Sequence, residues 1–252
     1  MTPAALHILS DQATWTRLTA TAIVQTLRDA IDCHGNAYWV LSGGRTPQDI
    51  YAYIAAHLRD RLPWNQVHLF WGDERYVPHD DPRSNYAMAQ RTMLQHLPIP
   101  TENVHPMPTY VQDPDLAAQA YETTLRRFFT RDFPQFDLIL LGVGEDGHIA
   151  SLFPNSPALE EQSRWVTVSQ GPDVIRLTLT YPAINHAAHI FILVRGKDKA
   201  RVVRQALLSQ DPIPTCPVRG IQPVHGDVHW WLDEAAARDI CTGVNDDEAT
   251  TQ

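Results

Sequence analysis

Apolar residues recur in short runs, separated by polar stretches rich in proline and glycine. Five runs read as strands: 38–41, 67–71, 136–141, 190–194 and 228–232. Between them the spacing turns helical. Thr46 and Pro47 read as an N-cap and first helical residue, followed by Ile50, Ile54 and Leu58 at four-residue intervals. Ser84 opens a second helix, and Asp113-Pro114 opens a third through "DLAAQAYETTLRRFF". Gly196 starts a fourth, "KDKARVVRQALL", which stops before Pro212, and a short last one begins near Asp233. Strands alternating with helices predict an α/β fold with a mainly parallel sheet and helices on both faces. "RWVTVS" and "VIRLTLT" have no long helix between them and predict a small antiparallel addition. Residues 1–240 read as a single domain and 241–252 as a polar C-terminal tail.

Composition narrows the classes. The 252 residues are 44% apolar and 19% charged, enough for a buried core. No apolar stretch reaches the roughly 18 residues needed to cross a bilayer, so no membrane association is expected. The N-terminus lacks a basic region followed by a long apolar segment, so no signal peptide is expected. Three scattered cysteines form no CxxC pair, which points to a reducing, cytoplasmic setting. A net charge of −9 argues against nucleic acid as partner. A small anion can still bind where a few cations and helix N-termini converge. Monomer and small homo-oligomer are both compatible with the sequence.

The segment "LGVGEDGHIASLFP" spells G-x-G-x-x-G over residues 142–147, after a strand. A dinucleotide fingerprint needs a long helix at the last glycine. Pro154 follows Gly147 within seven residues, which leaves room for two turns at most. The segment reads better as a loop that holds His148 beyond the carboxyl end of a central strand, where open α/β sheets place ligands. Imidazole suits a general base, and Asp146, two residues earlier, is placed to orient it. The plainer alternative, a ring that caps its own turn, stays open on pattern alone. Ser151 lacks the G-x-S-x-G elbow of a serine nucleophile and reads as a structural hydroxyl.

Four other stretches bear on chemistry. Ser42-Gly43-Gly44 joins a strand to a helix, which suits close approach to a phosphate, although the G-K-[ST] ending of a Walker loop is missing. Asp73, Glu74 and Arg75 follow a strand directly; Asp73 and Arg75 read as functional and Glu74 as a structural ion-pair partner. Arg176 shares one strand face with Thr178 and Thr180 and is either a phosphate clamp or an edge charge. Arg195, Lys197 and Lys199 oppose the dipole at a helix start, a conflict that a bound anion would relieve. His186, His189, His225 and His229 lack an associated cluster of acids or cysteines, so no metal site and no cofactor are expected.

These stretches, with the closing "HWWLDEAAA", resemble the 6-phosphogluconolactonase family in the family's order over residues 40 to about 237. "GVGEDGHIASLFP" is the most specific of them. The resemblance implies a Rossmann-like fold shared with glucosamine-6-phosphate deaminases. It also implies metal-free hydrolysis of 6-phospho-D-glucono-1,5-lactone in the oxidative pentose phosphate pathway. By that resemblance His148, with Asp146, would deprotonate the attacking water, and Arg75 or the glycine-loop amides would stabilise the oxyanion. Ser42, Gly43, Gly44, Arg176 and Lys199 would hold the phosphate, and Asp73 the sugar hydroxyls or the water. The related deaminases carry a Glu five residues after the histidine, where this chain has Phe153, so the lactonase is favoured. The remaining alternatives are a deaminase- or isomerase-like enzyme and a non-catalytic sugar-phosphate-binding protein.

Overall fold

The computed structural model describes residues 4–241. The chain runs β1 (Ala5–Leu9), α1 (Gln12–His34), β2 (Ala37–Leu41), α2 (Arg45–His57), β3 (Val67–Trp71), β4 (Asp73–Arg75) and α3 (Asn85–Thr92). It continues through α4 (Pro114–Leu125), β5 (Leu138–Gly142), β6 (Val166–Gln170), β7 (Ile175–Leu179) and α5 (Tyr181–Asn185). It ends with β8 (His189–Val194), α6 (Ala200–Leu208), β9 (Asp227–Asp233) and α7 (Glu234–Cys241). Of the expected tail, Cys241 closes α7 and the rest lies outside the described residues.

Six strands form one parallel sheet in the order β1-β9-β8-β5-β2-β3. From β2 the chain first steps outward to β3, then returns to place β5 on the other side of β2. The strand order therefore reverses between β2 and β5, and the carboxyl ends of these two strands open a crevice. The central strand β5, "LILLG", is buried along its apolar length because both faces of the sheet are covered. On one face Trp39 packs edge-on against Tyr51 of α2, with ring centroids 6.0 Å apart. Beyond the other face, Ala206 and Leu207 of α6 line a groove with Ile192 of β8.

The second sheet is antiparallel, in the order β4-β7-β6. The expected hairpin is β6–β7. Residues 73–75, expected to be a strand end, are themselves its third strand. Period-2 alternation then puts Asp73 and Arg75 on the same face as their register partners Thr178 and Arg176.

Ser84 and Asp113 cap α3 and α4 through their side chains, as the sequence predicts. Besides β4, two further elements were not expected. β1 is an edge strand with only its alternate residues half-covered. α1 buries Trp15, Thr19, Ile23, Leu27 and Ile31, a plain helical stripe, but its five threonines weaken the helical propensity. One boundary also differs. Thr46 does not cap α2; Gly44 does, at φ 95°, a left-handed conformation that glycine adopts without strain, so Thr46 and Pro47 lie inside the first turn. Gly196 likewise precedes a short 3₁₀ turn at Lys197–Lys199, and the α-helix begins only at Ala200.

Candidate active site

A cleft of about 410 Å³ lies at the carboxyl ends of β2 and β5, roofed by the small sheet. Ser42, Gly43 and Gly44 line it from one side. Asp73, Arg75, His148, Arg176 and Lys199 line it from the others, so eight of the nine expected site residues share one cavity. Asp146, the ninth, sits behind His148.

Two glycines of the His148 loop have a clear physical reason. At Gly144 a Cβ would lie 2.1 Å from His148 Nδ1 and 2.5 Å from Asp146 Oδ1, so a bare backbone is what lets the pair fold back over it. Gly147 turns the chain at φ 84° beside Cys216. No helix follows Gly147, which removes the geometry a dinucleotide needs. The His148 and Asp146 side chains meet at 2.6 Å between Nδ1 and Oδ1. That hydrogen bond from His148 is the main cause holding the Asp146 carboxyl below its ordinary value. An ionised Asp146 accepts from Nδ1–H, which leaves Nε2 as the basic nitrogen.

Ala150 adopts φ 46° in the tight turn from Ile149 to Leu152, a left-handed conformation costing about 1–2 kcal/mol. The turn aims Ser151 at β4, where its hydroxyl donates to Asp73 Oδ2 at 2.6 Å. Asn85, at the start of α3, fixes the other side of Asp73: its Nδ2 donates to Asp73 O at 2.9 Å and to Oδ1 at 3.3 Å. Asn85 Oδ1 is buried without a partner, and the residue lines the cleft. Neither residue was expected in the site. Ser151 was read only against the nucleophile pattern, and Asn85 carries no motif beyond following an N-cap.

Arg75 and Arg176 oppose each other directly across the β4–β7 ladder. Like charges in that position repel. Arg176 is buried, its Nη2 meets Asp173 at 2.5 Å, and its Nε has no partner. Burial first, then Arg75, pulls the Arg176 pKa down. Two cross-strand arginines and an unpartnered buried Nε are groups that could accommodate an anion. The amides of the first turn of α2 add to it, since no side chain caps that helix.

Glu74 needs correction. Among the described residues it pairs with no cation; its carboxylate caps α3 instead, accepting from the Asn85 and Tyr86 amides at 2.7 and 2.8 Å and from the Ser84 hydroxyl at 3.0 Å. It lies on the opposite face of β4 from Asp73 and Arg75, which removes it from the cleft. Of the three cations after β8, only Lys199 lines the cleft. Arg195 is drawn away by Asp49, at 2.9 Å, and lies over the Trp15 ring. Among the histidines, His189 and His229 meet Asp227 at the far end of the sheet, an acid that the spacing argument did not include.

Fold and cleft together define an α/β class with a polar, cation-lined cleft at the switch point of a parallel sheet. The model for glucosamine-6-phosphate isomerases/6-phosphogluconolactonase matches residues 10–230. A 6-phosphogluconolactonase of Synechocystis is 42% identical over 221 residues, covering 86% of this chain and 90% of the relative. Among solved structures, the 6-phosphogluconolactonase of Thermotoga maritima superposes with a TM-score of 0.80 at 30% identity, covering 92% of this chain and all of that one. The Leishmania guyanensis 6-phosphogluconolactonase gives 0.84 at 28% identity, covering 95% and 99%. The chain belongs to the glucosamine-6-phosphate isomerase/6-phosphogluconolactonase family.

Proposed function

We propose that this protein hydrolyses 6-phospho-D-glucono-1,5-lactone to 6-phospho-D-gluconate. The observation that carries the reading is the Asp146-oriented His148 in the same cleft as the facing pair Arg75 and Arg176. The cavity lies within the roughly 300–1,000 Å³ typical of small-molecule sites.

Arg176, Lys199 and the Ser42-Gly43-Gly44 amides hold the phosphate. This tether places the lactone carbonyl near His148. His148 Nε2 takes a proton from water as the water oxygen bonds to the carbonyl carbon. Arg75 or the glycine-loop amides stabilise the resulting oxyanion. The intermediate collapses, the bond to the ring oxygen breaks, and that oxygen takes the proton back from the imidazolium. The products are a carboxylic acid, which ionises, and a free hydroxyl. Asp73, held by Ser151 and Asn85, orients a sugar hydroxyl or the water. No covalent intermediate is required, because a δ-lactone is already an activated ester.

Phe153 supports the lactonase over a deaminase. Its ring lies 4.8 Å from that of His148 and lines the cleft, at the place where the resemblance puts the deaminase carboxylate. The free thiols Cys33, Cys216 and Cys241 fit a cytoplasmic enzyme. Among the described residues no helix is long and apolar enough to cross a membrane.

The test is a coupled assay with freshly generated lactone, corrected for spontaneous opening. The native protein should turn over and His148→Ala should not, while 6-phosphogluconate still binds the variant. Equal activity in the variant overturns the role of His148. Ammonia released from glucosamine 6-phosphate, with no lactone turnover, would favour the deaminase. Binding without any turnover would favour a sensor.

A further inference from the structure

A cluster of metal-binding side chains lies at the amino ends of β8 and β9. The sheet itself builds it. His189 and Asp227 are register partners on neighbouring parallel strands, and His229 is two residues further along β9, on the same face. His189 Nδ1 lies 2.7 Å from Asp227 Oδ1, and His229 Nε2 lies 3.3 Å from the same oxygen. All three donor atoms fall within 4.8 Å of one another. Zinc bonds to nitrogen and oxygen at about 2.0–2.2 Å, which sets donor atoms roughly 3.3 Å apart around a tetrahedral ion. The 3.3 Å between His229 and Asp227 matches that spacing, and the 2.7 Å between His189 and Asp227 would open slightly.

A fourth residue prepares the set. His7 Nε2 lies 2.9 Å from His229 Nδ1. His7 is stacked on Trp231, with ring centroids 4.2 Å apart, so its position is fixed. In this contact His7 Nε2 can serve as the acceptor. His229 then donates its Nδ1–H to His7 and turns the Nε2 lone pair toward Asp227. Metal-bound histidines are commonly oriented in this way, through the nitrogen that does not touch the metal. His189 is 41% exposed at its side chain, so its remaining proton can move to the solvent-facing Nε2 when Nδ1 becomes a ligand.

We propose that His189 Nδ1, Asp227 Oδ1 and His229 Nε2 bind one divalent transition-metal ion, Zn²⁺ by donor type, with solvent in the remaining position. Two imidazoles and one carboxylate select a borderline ion over Mg²⁺ or Ca²⁺, which prefer oxygen donors throughout. The site is remote from the cleft. β8 runs from His189 to Val194 before the chain reaches Lys199, about 16 Å of strand. A metal here staples β8 to β9, the strand that carries the edge strand β1. Its role is stabilising, and lactone turnover does not pass through it.

The test uses the full chain after chelator treatment. Zn²⁺ is titrated by calorimetry, and Co²⁺ by the visible bands of tetrahedral coordination. One equivalent should bind and raise Tm. His189→Ala with His229→Ala should abolish binding and the Tm rise while lactone turnover stays at the native level. Asp227→Asn, which preserves shape, should weaken binding at least tenfold. His7→Phe should weaken it about ten- to hundredfold without removing a ligand. Absence of binding by the native chain overturns the proposal. So does unchanged stoichiometry and affinity in the double variant, or loss of the ion in His148→Ala, which would place it in the cleft.

Discussion

Replacing Gly144 with alanine isolates the part of catalysis that depends on where one imidazole sits. Gly144 lies outside the left-handed region, so alanine adopts its backbone conformation without strain. The added methyl would stand 2.1 Å from His148 Nδ1, whereas real Cβ contacts essentially never fall below 3.0 Å. The ring must retreat by roughly 1 Å, and a misplacement of that size can cost about 10²-fold in rate. If the Asp146 contact breaks as well, general-base catalysis is at stake, typically 10²–10⁴-fold. The expected result is therefore a fall in kcat of about 10²-fold or more, with KM little changed because the phosphate contacts lie elsewhere. Stability should hold or rise, since a compatible Gly→Ala change gains about 0.4–1 kcal/mol by restricting the unfolded chain. The readouts are steady-state lactone hydrolysis and thermal unfolding. A cycle with His148→Ala sharpens the test: in that background Gly144→Ala should cost almost nothing. Native kcat in Gly144→Ala, or an equal loss in both backgrounds, refutes the argument that Gly144 acts by making room for His148.

Four further outcomes follow from the same geometry. Arg176→Ala removes a buried charged donor worth about 1.5–3 kcal/mol and should raise KM by about 10- to 150-fold with a smaller effect on kcat; an unchanged KM removes Arg176 from the phosphate site. Ser151→Ala should keep activity within about tenfold of native, the loss reflecting a looser Asp73; an inactive but folded variant would restore the nucleophile reading. Glu74→Ala strands the amides of Asn85 and Tyr86 and should cost about 3 kcal/mol or more in urea unfolding. Burial outweighs those hydrogen bonds and pushes the Glu74 carboxyl up. Its proton therefore favours the folded state at pH below the ordinary glutamate value, and that contribution is lost as pH rises through Glu74's own higher value. Glu74→Gln should flatten the stability profile in that window; an unaltered profile refutes the account.

The sequence makes visible what is coded locally. The apolar runs behind β2, β3, β5, β8 and β9 are short and continuous because both sheet faces are covered, and Ser84 and Asp113 cap their helices within three residues. The glycines at 142, 144 and 147 announce a loop, and Pro154 limits what can follow it. The missed features depend on distant partners. β1 becomes a strand only by pairing with β9, and the stripe on α1 is diluted by threonine. β4 becomes a strand because β7 arrives beside it from a hundred residues further on. That pairing sets Arg75 against Arg176, turns Glu74 away from the cleft and brings Ser151 to Asp73. None of these contacts has a spacing that can be read along one strand. The same holds at the opposite end of the sheet: no interval in the sequence connects His189 to Asp227, yet parallel register sets them side by side. Residue type thus named the chemistry of the cleft, while strand pairing decided which of the charged residues face it.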